Sequence, residues 1–129
     1  MPRLLVVVPA GAVPRVAAGP HVRVLSELDL VKCHSVEDVR AAAGRSLVTI
    51  SPVAPTPTKP GYGPALGVDG VRAAVAAAGA TSVFALGGVT ASNARSFLDA
   101  GAFGVAVMGA VLRAEDPAGA VRELLEAIG

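Results

Sequence analysis

Two hydroxyls and an ammonium group stand together in Thr56-Pro57-Thr58-Lys59. Hydroxyl donors beside a cation are what a phosphate or pyrophosphate needs. The loop that carries them, residues 51–67, places four prolines in its first ten positions. Proline fixes φ and removes a backbone donor, so this segment is stiff and joins neither helix nor sheet. It follows the apolar run Ser46-Leu47-Val48-Thr49-Ile50, which reads as a buried strand, so the three groups would be held at the mouth of a sheet. Lysine usage points the same way. Of 11 Lys+Arg only Lys32 and Lys59 are lysines, a choice that suits a compact point charge. The same composition also describes a surface Pro-rich connection with an incidental lysine.

Gly87-Gly88 before Thr90, and Gly109-Ala110 after Met108, form a second group of candidates. Residues without Cβ let an oxyanion approach backbone N–H groups at a helix N-terminus, where the dipole favours negative charge. A tight turn requiring φ > 0 asks for the same Gly-Gly pair. Recurrence of the arrangement one unit later favours the phosphate cup. Lys32-Cys33-His34 closes an earlier strand, and period two sends Lys32 and His34 to one side and Cys33 to the other. An imidazole at the open end of a sheet is a candidate general acid/base. A histidine that only packs before a helix is the other reading. Cys33 is expected in the core and His21 in a structural role; two distant histidines and one cysteine are too few for a metal site.

The elements that must position these residues alternate after residue 28. Strand Leu28 to Cys33 leads to a helix from Val36 to about Ala43, with Ser35 as N-cap and Gly44 as its stop. Strand Leu47 to Ser51 feeds the Pro-rich loop. A helix from about Val68 to Ala78 aligns Val68, Val71 and Val75 on one stripe and stops at Gly79. Strand Ser82 to Leu86 is followed by a helix capped by Thr90 and running to about Ala100. Strand Gly104 to Met108 precedes a last helix opened by Asp116-Pro117, whose buried face is Val121, Leu124, Leu125 and Ile128. Four consecutive βα units make an α/β fold with a parallel sheet. Residues 1–28 are less defined, with strands near Leu4 to Val8 and His21 to Leu25. The whole chain, 1–129, reads as one domain.

Composition fits this frame. The chain is 53% hydrophobic and 3% aromatic, with mean hydropathy +0.61, which suits strands covered on both faces and a further apolar contact with another copy. A dimer is the expected state. Net charge +1 and nine scattered arginines argue against a nucleic-acid partner. Arg3 and the apolar residues after it loosely resemble a secretory leader, but Pro9, Gly11 and Pro14 interrupt them and a strand explains Leu4 to Val8. No apolar run approaches the ~18 residues of a membrane span. The single cysteine excludes an internal disulfide framework and suits a reducing, cytoplasmic setting.

The loop Ser51-Pro-Val-Ala-Pro-Thr-Pro-Thr-Lys-Pro-Gly-Tyr-Gly-Pro-Ala-Leu-Gly67 resembles that of the thiamine-phosphate synthase/TenI family. Ala85-Leu-Gly-Gly-Val-Thr90 and Gly104-Val-Ala-Val-Met-Gly-Ala110 resemble its next two strand ends, in order and in spacing. Lys32-Cys33-His34-Ser35 resembles the strand end that carries a histidine. The likeness runs from about residue 29 to the C-terminus. It implies a (βα)8 barrel, here shortened, since a complete barrel needs upwards of ~200 residues. It also implies that Thr56, Thr58, Gly88, Met108 and Gly109, with Pro57 and Gly87 beside them, line a thiazole-phosphate site toward which Lys59 reaches.

The family's synthase branch joins a thiazole phosphate to a pyrimidine pyrophosphate with magnesium. Its tautomerase branch aromatises a thiazole carboxylate phosphate by proton transfer at a histidine in the position of His34. The chain departs from the synthase pattern: the N-terminal pyrimidine- and metal-binding residues have no recognisable counterpart, and Lys32 stands where the synthase has serine. The expectation is a TenI-like protein that binds a thiazole phosphate and tautomerises it without a cofactor, with His34 as acid/base and Lys32 beside it. The alternatives are a magnesium-dependent synthase completed by a partner subunit, and a non-catalytic phosphate-binding or regulatory protein.

Overall fold

The computed structural model describes residues 2–55 and 64–129. Its sheet has six strands: β1 (Leu4–Val8), β2 (Val22–Ser26), β3 (Lys32–Cys33), β4 (Leu47–Ile50), β5 (Ser82–Leu86) and β6 (Gly104–Val107). All neighbours are parallel and the order is β2-β1-β6-β5-β4-β3. The first strand therefore pairs with the last, as barrel closure requires. β2 and β3 are consecutive in the chain yet lie at opposite ends of the sheet, so the open seam falls between them. The fold is a partial (βα)8 barrel.

Among the described residues five α-helices accompany the sheet: α1 (Val36–Ala41), α2 (Gly67–Ala78), α3 (Ala94–Asp99), α4 (Gly109–Leu112) and α5 (Pro117–Ile128). β1 is buried along its whole length because its two faces enter different clusters. Leu4 and Val6 pack with the helices, through residues such as Val71, Ala74, Phe97 and Leu124. Leu5 and Val7 join Leu47, Phe84 and Ala106 on the other face, with Leu25, Leu30, Leu86 and Met108 packed against them. Among the described residues no helix contributes to that second cluster, Met108 only preceding α4, yet Leu5, Val7, Phe84 and Ala106 are fully buried. Only a sheet curled upon itself can exclude water from such a face. Leu25 and Leu30, from either side of the seam, help to fill it.

Most caps act as the sequence indicates. The Ser35 hydroxyl accepts from the Asp38 N–H, and an Asp116 carboxylate oxygen accepts from the Gly119 N–H. Gly44 and Gly79 adopt positive φ after α1 and α2. Several boundaries shift by a residue or two, β4 ending at Ile50 among them, and three of the differences bear on the site. The strand expected over Leu28 to Cys33 is only Lys32–Cys33, because the Ser26 hydroxyl accepts from the Leu28 N–H and starts a 3₁₀ turn over Glu27–Asp29. The helix expected from Thr90 starts at Ala94. The Asn93 side chain accepts from the Thr90 N–H and donates to the Gly88 carbonyl, a local turn that competes with helix. The strand expected to reach Met108 ends at Val107, and the short α4 follows at once. The ill-defined N-terminal part proves to hold a fully buried interior strand, β1, and the edge strand β2.

Candidate active site at the strand ends

A pocket of about 510 Å³ opens at the C-terminal ends of the strands, where a barrel presents its variable loops. Its walls include Pro9 beyond β1, Lys32 of β3 and His34 just after it, Ser51 to Pro52 and Pro55 after β4, Leu86 to Thr90 from the end of β5 onward, and Ala106 to Ala110 from β6 into α4. Lys32, His34, Gly87, Gly88, Met108 and Gly109 are thus brought together. Thr56, Pro57, Thr58 and Lys59 lie outside the described residues. The described chain before them ends at Pro55, on the pocket wall.

Period two places the β3 residues as expected. Cys33 is buried in the helix-facing core, and Lys32 and His34 emerge on the other side. Burial pushes the Cys33 thiol up, and the Asp38 carboxylate adds to the shift, so the sulfur stays protonated and inert. His34 makes three contacts through two atoms. Its backbone N–H donates to Asp38 Oδ2 at 2.9 Å, and Nδ1 lies 2.9 Å from the Ser51 carbonyl and 3.3 Å from the Ser51 hydroxyl. A carbonyl only accepts, so Nδ1 carries the hydrogen and the lone pair of the neutral ring sits on Nε2. Lys32 Nζ lies 3.7 Å from Glu27 Oε1, while Glu27 Oε2 accepts from the Ala10 N–H. Glu27 thereby ties Lys32 to the end of β1 across the seam.

Gly87 and Gly88 take φ of +93° and +75°, in the left-handed region. The segment after β4 extends the sheet here: Val53 N–H donates to Leu86 O and Ala54 N–H to Gly87 O, both at 3.0 Å. A Cβ on Gly87 would lie 2.9 Å from Pro52 Cα, and one on Gly88 would lie 2.6 Å from Ala54 O. The pair therefore serves the turn and the close approach of this backbone, and so anchors the root of the Thr56 to Lys59 loop.

Among the described lining residues there is no carboxylate, while Lys32 and Arg113 are cations. Such a wall suits an anionic ligand. Arg113 was not anticipated from sequence, because a four-residue helix has no cap or periodicity to reveal it. Once α4 is known, the i,i+4 spacing from Gly109 places Arg113 over it. Among the described residues no group of three or more His, Cys, Asp or Glu could hold a metal, and the described lining offers no carboxylate for the magnesium that the synthase branch implies.

Residues 31–111, which contain β3 to β6 and almost all of the pocket, match the family model described as "Thiamine monophosphate synthase". The chain belongs to this family. Thiamine-phosphate synthase of Salinispora tropica is 52% identical over 87 residues, covering 67% of this chain and 41% of that protein. That of Acidothermus cellulolyticus is 47% identical over 93 residues, covering 70% and 43%. Among solved structures, thiamine phosphate pyrophosphorylase from Pyrococcus furiosus superposes with TM-score 0.65 at 29% identity, over 84% of this chain and 50% of that one. The chain thus spans about half, or less, of the length of these relatives.

Proposed function

We propose that this chain is the thiazole-phosphate-binding part of a thiamine-phosphate synthase, and that the pyrimidine- and magnesium-binding residues come from a partner subunit. The observation that carries the reading is the pocket at the strand ends, whose described lining holds no carboxylate and includes the Gly87-Gly88 turn, the start of α4 at Gly109 and two cations. The names of the similar proteins support the synthase branch over the tautomerase branch. The chain's own work would be to bind and orient: the phosphate is gripped between the Gly88 and Gly109 ends, with Thr56, Thr58 and Lys59 as the third side. Leu86, Ala106 and Met108 offer an apolar floor for a thiazole ring. Such anchoring contributes by fixing the nucleophilic ring for attack. Magnesium would assist pyrophosphate departure from carboxylates supplied outside the described residues.

The expected outcome is that the purified chain binds thiazole phosphate but forms no thiamine phosphate from it with pyrimidine pyrophosphate and magnesium. Calorimetry and product chromatography check the two halves, and robust product formation by the chain alone would remove the partner subunit. A second reading, thiazole tautomerisation, is favoured by one feature: His34 Nδ1 is committed to Ser51, which presets the basic nitrogen. We also propose that two copies associate, since β2 and β3 leave sheet edges and Leu28 is 76% exposed beside the seam.

A further inference from the structure

Of the two cations on the described pocket wall, Lys32 is engaged by Glu27. Arg113 differs. The described ion pairs are Lys32–Glu27, Arg72–Asp69 and Arg95–Asp99, and none includes it. Other arginines hold the frame: Arg15 Nη1 donates to Leu112 O at 2.7 Å and Arg3 Nε to Phe103 O at 3.1 Å. Arg113 instead turns back along α4 onto Gly109, so closely that a Cβ on Gly109 would collide with the guanidinium. Gly109 is helical and has no positive φ. Its backbone does not require glycine, and a Cβ there would displace the guanidinium from its present seat. A planar fork of five donors, with no carboxylate paired to it among the described residues, matches a phosphate group.

We infer that Arg113 is a ligand-binding residue whose guanidinium, seated in the space that Gly109 leaves open, grips the phosphate end of the ligand. Gly109 is then a specificity position acting through Arg113. This inference rests on the phosphate-ester reading of the pocket.

Titration calorimetry at low and high salt, with thiazole phosphate and with inorganic pyrophosphate, tests it on wild type, Arg113→Gln, Arg113→Lys, Gly109→Ala and the double variant Gly109→Ala/Arg113→Gln. Arg113→Gln is expected to bind ~10–100-fold more weakly, the range of a charge-assisted hydrogen bond, and with a flatter salt dependence. Arg113→Lys recovers part of the affinity. Gly109→Ala keeps the wild-type urea midpoint, since alanine suits a helix, yet loses as much affinity as Arg113→Gln. The double variant is no weaker than either single one. Wild-type affinity in Arg113→Gln overturns the inference while leaving the phosphate reading intact. Additive losses in the double variant overturn the seat at Gly109. A wild-type protein that binds neither probe overturns the phosphate reading and the inference together.

Discussion

His34 is the residue with the most definite local chemistry. Its ring is oriented by Ser51, its backbone by Asp38, and it shares the pocket with Lys32. A fixed imidazole can remove one proton and return another only if an anchored ligand brings the reacting carbon within hydrogen-bond reach. If the tautomerase reading holds, His34→Asn retains thiazole phosphate binding but loses at least ~10²-fold in proton exchange, the usual general acid/base contribution. Deuterium exchange followed by NMR is the check. Undiminished exchange in the variant, or none in wild type, removes His34 as a catalyst and leaves the binding reading.

At the scale of elements, the two glycine ends carry opposite demands. Gly88 has positive φ and rigid backbone, Ala54 O and Pro55 O, where a Cβ would go. Gly88→Ala should therefore destabilise the fold by roughly 2 kcal/mol, the scale of a non-glycine residue held in a strained conformation, and a urea unfolding series checks this. An unchanged midpoint would mean that the Pro52 to Pro55 wall is not packed as described. These glycines and the βα units around them were legible because caps, stops and apolar stripes coincide at Ser35, Gly44, Gly79 and Asp116. What was not legible had weak local signals. The β1-to-β2 crossover has no helix, so nothing marked the strand at Leu4 to Val8 as a fully buried interior one. Asn93 rather than Thr90 shapes the turn before α3, a competition between two adequate capping types. Arg113 entered the site through an element too short to announce itself.

For the whole molecule, the open seam is the main consequence of a six-stranded order in which β1 pairs with β6. Leu25, Leu30 and the Glu27 carboxylate close it only in part. Unpaired edges and an exposed Leu28 should draw a second copy to this side. Light scattering at micromolar concentration is expected to give twice the chain mass, and a stable monomer would show that the seam is closed well enough alone. The barrel also has a second opening at its other end, about 310 Å³, lined by Arg23, Asp29, Arg45 and Ser46. Two arginines there offer a competing anion site. A crystal structure with bound thiazole phosphate distinguishes the two ends directly. The phosphorus is expected between the Gly88 and Gly109 ends, within hydrogen-bond reach of Arg113; occupancy of the Arg23/Arg45 opening alone would contradict that placement.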